Sequence, residues 1–294
     1  MQTNAQTPIS FRIVKAPDHA LLVQIDEGKG FYEHLHYHPE YQITTIEKGT
    51  GLLYAGTSIC SFEPGDVFVL GSEMPHLFKE TRNHNPDGVR AISLFFDEAS
   101  LGKQFFETKE LQVLIHLLRL SGRGVKVDRS ATTILHDYIL GTPRLKEERL
   151  YIRFLEILSH IARSELSFLN EILITESSSD QYPDRLNEVV DYALKNFDRE
   201  IKIDKVAKMS FLSRSHFSAS FKLKTGKTFI NFLNTIRVEN ACLQLKKRQM
   251  SIEQVCYASG FRNVSNFSRQ FKRIKRMTPS QYQKAWQIDS ANRI

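Results

Sequence analysis

Residues 252–282 read IEQVCYASGFRNVSNFSRQFKRIKRMTPSQY, and this stretch decides the fold of the C-terminal third. Ile252, Val255, Cys256 and Ala258 share one helix face. Gly260 follows where the chain turns with positive φ, which only glycine takes without steric cost. Phe261 fills the angle before a second helix, whose apolar face recurs at Val264, Phe267, Phe271 and Ile274. Its other face carries Ser265, Ser268, Arg269, Lys272 and Arg273, donors suited to base edges and phosphates. Thr278-Pro279-Ser280 ends that helix and starts another. The pattern is a helix-turn-helix.

It occurs twice. Residues 203–222 carry it with Val206, Ala207, Phe217 and Phe221 in the apolar positions and one residue fewer at the turn. Residues 228–248, between the copies, contain no Gly or Pro and predict one continuous helix. Its roughly 20 residues span about 30 Å. One turn of B-DNA is about 34 Å. Two recognition helices so spaced suit successive major grooves on one side of a duplex.

Charge agrees. From Arg185 onward the chain has 22 Lys+Arg against 8 Asp+Glu, net +14, while residues 1–184 are net −7. A basic C-terminal third is the footprint of a polyanion binder. At 41% hydrophobic and 25% charged the composition is that of a globular protein, and 294 residues allow two or three domains with cores. No apolar run approaches the roughly 18 residues of a membrane helix. The start MQTNAQTPIS lacks a signal pattern, so a cytoplasmic protein is expected. Cys60, Cys242 and Cys256 have neither paired nor metal-type spacing and fit a reducing compartment.

These residues resemble the DNA-binding domain of the AraC/XylS family of bacterial transcription regulators. The family pattern is carried by Ala207, Phe217, Phe221-Lys222, Gly226, Arg237, Ala241, Gly260-Phe261, Phe267, Arg269, Phe271-Lys272 and Thr278-Pro279-Ser280-Gln281-Tyr282. The resemblance covers residues 184–288. It implies that Arg214, Ser215 and Ser218, and Val264, Ser265, Ser268 and Arg269, face the groove. Lys222, Lys272 and Arg273 are the expected phosphate contacts. Three positions depart from the pattern. Arg276 stands where glycine is frequent, so that helix end should be capped differently. Phe211 sits at a turn position that favours glycine and should add strain. Ser215, Ser218 and Ala219 are small where the first recognition helix should carry its readers, so that copy should position more than specify.

Residues 8–100 read as β. Alternating segments at 11–14, 21–25, 41–46, 51–55, 57–62, 67–70 and 89–96 are separated by turn signals such as Glu63-Pro64-Gly65-Asp66. Many short strands predict a barrel or jelly roll. Gly30, His36, His38, Gln42 and Gly49, then Pro64-Gly65-Asp66 through His76, resemble the two cupin motifs, with Gln42 in place of the usual glutamate. A second register, His34-Leu35-His36 with Glu40, keeps a glutamate but loses the glycine spacing. Three imidazoles suit Zn, Fe, Ni or Cu, and replacing the carboxylate by an amide weakens that site. The alternatives are a metal-free pocket in which His36, His38, Gln42 and His76 bind a polar ligand, or a purely structural cluster. The ligand pocket is the preferred reading, with no cofactor. Phe31, Tyr32, Tyr37, Tyr41 and Tyr54 are candidate pocket aromatics, though aromatics in such domains are more often core.

Residues 101–175 turn helical, with helices expected at 103–120, 130–140 and from Thr142-Pro143 to about 162. The resemblance implies a dimerisation segment here; packing on the β-domain is the other reading. Residues 176–184, polar and serine-rich, read as a linker, and 185–290 form the DNA-binding domain. The expected architecture is α+β, with a cupin-like β-domain, a helical dimerisation segment and an all-α double helix-turn-helix. The expected function is ligand-controlled, sequence-specific transcription regulation, more often activation than repression. Its partners would be double-stranded DNA, a small-molecule effector, a second copy and RNA polymerase. A metal-dependent cupin enzyme fused to a DNA-binding domain, and an architectural DNA-binding protein, are the competing classes.

Overall fold

The computed structural model describes residues 9–10, 13, 19–32, 34–80, 87–102, 105, 108–173, 184–247 and 249–291. Contacts divide the chain into two compact units, one of residues 8–58 and 62–181, the other containing residues 182–294.

The first unit is a two-sheet sandwich backed by helices. Its strands are β1 (Ile9–Ser10), β2 (Leu21–Gly28), β3 (His36–Tyr37), β4 (Tyr41–Lys48), β5 (Gly51–Ala55), β6 (Ser58–Phe62), β7 (Val67–Leu70), β8 (His76–Glu80), β9 (Val89–Phe96), β10 (Val125–Val127) and β11 (Leu166–Phe168). One sheet runs β1-β3-β8-β5-β6, the other β11-β10-β7-β4-β9-β2. The helices are α1 (Glu98–Leu101), α2 (Gln112–Ser121), α3 (Arg129–Gly141) and α4 (Glu147–Ala162).

Strand alternation gives the larger sheet two different faces. Ile43, Val67, Val69, Ile92, Leu94 and Phe96 turn outward and form one core with Leu114, Leu117, Leu135, Ile139, Phe154 and Leu158 of the helices. Gln42, Thr44 and Ser93, one residue out of step, turn inward to the second sheet and are buried. Fully burying each large apolar side chain of that core contributes about 1.5–3 kcal/mol.

Several expectations need correction. The helix expected over 103–120 starts at Gln112, after a 3₁₀ turn at Lys109–Leu111, and Phe106 lies outside the described residues. Thr142-Pro143 does not open α4. Its hydroxyl donates back to the Ile139 carbonyl at 2.7 Å, residues Thr142–Arg144 make a 3₁₀ turn, and α4 begins at Glu147. Strands β1, β10 and β11 were not expected, and most of the segment expected over 11–14 and nearly all of the 176–184 linker fall outside the described residues.

The described part of residues 182–294 is all helical: α5 (Asp184–Asn196), α6 (Ile203–Met209), α7 (Arg214–Thr225), α8 (Phe229–Lys247), α9 (Ile252–Ala258), α10 (Val264–Lys275) and α11 (Pro279–Ala291). Helix α8 is its axle. Phe229 and Phe232 pack on Phe217 and Phe221 of the first copy. Val238, Ala241, Cys242 and Leu245 join Val255, Cys256, Phe261, Phe267 and Phe271 of the second. Burial pushes the Cys242 thiol up to about 12, which keeps it an inert core group. Ala258, expected in the apolar face of α9, is exposed, and Ser259 is buried in its place.

Both turns repeat the same backbone bonds. Phe211 and Leu212 donate their amides to Lys208 and Ala207, as Gly260 and Phe261 do to Tyr257 and Cys256. Phe211 carries the expected strain, with φ +54°. The different cap expected at Arg276 is overturned: Arg276 takes the left-handed conformation itself, φ +59°. At the other end of the motif Thr278 and Gln281 cap each other reciprocally and open α11, as the sequence indicated.

Candidate functional site

The first unit encloses a cavity of about 120 Å³ lined by Gln24, Asp26, Phe31, Tyr32, His36, Gln42, Thr44, His76, Phe78, Ser93 and Phe95, among others. Register builds it. Ser93 of β9 lies opposite Gln24 of β2 on one side and Thr44 of β4 on the other, while His36 of β3 lies opposite His76 of β8. The two sheets thus bring a polar row and an imidazole pair face to face.

His36, His38 and His76 come together, with ring centroids 4.3–6.1 Å apart and ligand atoms all within 4.8 Å of one another. The register with His36, His38 and Gln42 is therefore the one the fold uses, and Leu35 of the rival register is buried in the core. Each ring places Nδ1 against a backbone carbonyl: His36 on His34 at 2.9 Å, His38 on Glu40 at 2.9 Å, His76 on Met74 at 2.8 Å. A carbonyl only accepts, so in His36 and His76 Nδ1 carries the proton and Nε2 a lone pair, whereas His38 faces an acceptor on each ring nitrogen. Burial lowers all three pKa values, that of His36 to about 4, so the rings are neutral near pH 7. Gln42 Nε2 donates to the Thr44 hydroxyl at 2.7 Å and the Ser93 hydroxyl at 3.2 Å, and Gln42 Oε1 stands 3.2 Å from His38 Nε2.

Of the candidate aromatics, Phe31 and Tyr32 line the cavity. Tyr54 is wholly buried, and Tyr41 stacks on Phe96 and donates to Glu98. Tyr37, half-buried, does not line the cavity. Gln24, Asp26, Thr44 and Ser93 were missed, since nothing local in the sequence marks them. Asp26 accepts from Gln24 Nε2 at 2.7 Å, and burial raises its carboxyl pKa.

The second site is the exposed face of the two recognition helices. On α7, Arg214, Ser215 and Lys222 are exposed, and Ser218 is half-buried with its hydroxyl donating to the Arg214 carbonyl. On α10, Ser265, Arg269, Lys272 and Arg273 are exposed and Ser268 is half-buried. Val264 leans on the core of the second copy. Two of these charges are held by partners that the sequence did not flag. Asn266 Oδ1 accepts from Arg269 Nη2 at 3.0 Å, and Asn231 Oδ1 of α8 accepts from Arg273 Nη2 at 2.9 Å. Asn263 caps α10 by accepting from the Asn266 amide. Among the described residues no helix is long and apolar enough to cross a membrane.

Comparison with known proteins matches both sites. The family described as a helix-turn-helix domain matches residues 206–285, and the AraC-like ligand-binding domain matches residues 16–94. An HTH-type transcriptional regulator of Staphylococcus aureus (strain MSSA476) is 25% identical over 249 residues, 81% of this chain. This chain spans only 30% of that relative's length. The HTH-type transcriptional regulator YdeC of Bacillus subtilis is 21% identical over 93% of this chain and 94% of its own. Among solved structures, the DNA-binding domain of AdpA in complex with a target DNA is 28% identical over 36% of this chain and 95% of its own, at a TM-score of 0.34. ToxT from Vibrio cholerae is 17% identical over 92% of this chain and 97% of its own, also at 0.34. At such TM-scores neither structure bears on the fold, which rests on the matched domains and on the elements described above. The chain belongs to the AraC family of helix-turn-helix transcription regulators, with an AraC-like ligand-binding domain ahead of its DNA-binding domain.

Proposed function

We propose that this chain is a sequence-specific DNA-binding transcription regulator, an activator by its family likeness, controlled by a small molecule in the N-terminal cavity. The observation that carries the reading is the doubled helix-turn-helix on one 19-residue helix. That helix, about 28 Å long, matches the spacing of successive major grooves. Arg214, Ser215, Ser218, Val264, Ser265, Ser268 and Arg269 read bases, and Lys222, Lys272 and Arg273 hold phosphates. His36, His38, Gln42 and His76 bind the effector, and residues 101–175 contribute the contact between two copies. The domain order is sensor at 8–100, dimer segment, linker at 176–184 and DNA-binding domain at 185–290.

The test is retention of fragmented genomic DNA by the full chain at two salt concentrations, read by sequencing. Enriched upstream sites with two blocks one helical turn apart support the reading. Broad, salt-sensitive retention without enrichment, in the full chain and in residues 180–294 alone, would overturn it.

A further inference from the structure

A groove of about 300 Å³ lies between α8 and the start of α10. One wall is a stripe of α8, Ile230, Leu233, Asn234 and Arg237, at spacings of three and four. The segment from Gly260 to Asn263 and Asn266 of α10 form the other, and Glu200 and Ile201 complete the lining. Its polar groups are donors short of acceptors. Asn234 is 7% exposed, and its side-chain amide has no hydrogen-bond partner among the described residues. Asn263 spends its Oδ1 on the Asn266 backbone amide, and Asn266 spends its own on Arg269 Nη2 at 3.0 Å, so each keeps an NH₂ group. Arg237 gives Nε to the Phe197 carbonyl and Nη2 to the Arg199 carbonyl, both at 2.8 Å, which leaves its Nη1 protons. Burial, and after it the like charge of Arg262, lower the Arg237 pKa against an opposite pull from Asp198. Two guanidinium groups thus repel each other beside the groove. The acid of the lining, Glu200, meets Arg262 Nη2 at 2.5 Å, in a solvent-exposed pair that is held weakly.

We infer that this groove seats a backbone phosphate of bound DNA, which takes amide protons from Asn234 and Asn266 and lies against the Arg237 and Arg262 guanidinium groups, with Glu200 giving way. Continuity with the reading face carries the choice of occupant. Asn266 lines the groove and also holds Arg269, the expected base reader, while Asn231 of α8 meets Arg273 of α10 at 2.9 Å. A helix in a major groove about 12 Å wide has a phosphate backbone on either side. The backbone on the side of α8 therefore passes over the groove. A phosphate contact fixes position without reading sequence. A seat beside Asn266 sets how Arg269 meets the bases. A carboxylate of a partner protein offers the same charge, but the shared Asn266 wall ties the groove to the face that DNA covers. The inference rests on DNA binding alone, not on effector control or base specificity.

The test titrates the full chain with a short random duplex and with an enriched duplex from the retention experiment, at several salt concentrations. Glu200→Gln should raise affinity for both about two- to fivefold, because the competing carboxylate is gone. Arg262→Gln should lower the salt slope by about 1 on both. Asn234→Leu, close in volume, should weaken both about fivefold or more while its melting temperature stays near that of the parent. Unaltered affinity and slope in Glu200→Gln and Arg262→Gln would overturn the seat, as would losses confined to the enriched duplex. Inorganic phosphate that raises the melting temperature of the parent but not of Arg262→Gln, with DNA affinity unmoved in all three variants, would assign the groove to a free anion instead. A random duplex bound as tightly as the enriched one, with the three shifts as expected, would leave the seat standing and sink base specificity.

Discussion

Arg276 and Gly226 close the two recognition helices in the same left-handed conformation, φ 59° and ψ 9° against φ 66° and ψ −3°. The two helix ends share one geometry, and the second copy adopts it with a residue that carries a Cβ. Such a residue costs about 1–2 kcal/mol there. Arg276→Gly should therefore stabilise the C-terminal unit by up to about 1 kcal/mol, the glycine's greater freedom in the unfolded chain offsetting the rest. Thermal melts of the two proteins decide it; a lower melting temperature in the variant refutes the strain argument.

Gly260 and Phe211 make the reverse comparison. A Cβ on Gly260 would meet the Phe197 carbonyl oxygen at 2.3 Å and Asp198 Cα at 2.9 Å, on a backbone with φ +82°. Gly260→Ala should cost more than about 2 kcal/mol. Phe211 has φ +54° but is 75% exposed, so it loses little burial on substitution. Phe211→Gly should leave stability unchanged or raise it by up to about 1 kcal/mol. Equal destabilisation by the two variants would show that the turns are not equivalent.

These turns were legible because the helix-turn-helix pattern is local, spaced by 3 and 4 residues, and present twice. The β-unit was legible where strands alternate or end in glycine turns. Strands β10 and β11, Val125–Val127 and Leu166–Phe168, were missed because three residues are too few to show a period. The cavity was half legible. Its histidines fall in a recognisable motif, whereas Gln24, Thr44 and Ser93 share a row only through register across β2, β9 and β4. Asn266 was missed for a similar reason: its value lies in the angle at which it meets Arg269, which no spacing announces.

That contact has a consequence for specificity. Asn266 holds the Arg269 guanidinium on the exposed face of α10. Arg269→Ala should cost about 1–3 kcal/mol on specific DNA and relax preference at one base pair. Asn266→Ala should cost less and relax the same base pair, because the arginine remains but loses its fixed pose. Lys272→Ala, by contrast, should weaken specific and random DNA alike and lower the salt slope by about 1. Binding titrations on both DNAs at several salt concentrations separate the three; equal loss on both DNAs for Arg269→Ala removes it as a reader.

Lys275 and Glu239 tie α10 to α8 through a buried ion pair. Glu239 is 5% exposed and its carboxylate meets Lys275 Nζ at 2.6 Å. Burial works against the lysine charge, but the carboxylate outweighs it and the ammonium pKa rises. Lys275→Met would strand the carboxylate in the core and should destabilise the unit by roughly 3 kcal/mol. Glu239→Gln with Lys275→Met removes both charges and should recover much of that loss, as a double-mutant cycle in denaturant would measure. Recovery of nothing would mean that the pair matters for packing alone.

The packing of α3 on the larger sheet should weaken in acid. His136 Nδ1 meets the Thr45 hydroxyl at 2.7 Å, and burial pushes the ring's pKa below its ordinary 6.5, against a smaller opposite pull from Asp137. A ring with a depressed folded-state pKa favours folding above pH 6.5, and that contribution is lost as pH falls through the folded value, because the unfolded chain then binds the proton more readily. The N-terminal unit should thus lose stability as pH drops below about 6.5. His136→Gln keeps a polar partner for Thr45 and removes the proton site, so its stability should vary less with pH over that window. An unchanged pH profile in the variant would assign the acid sensitivity to other groups.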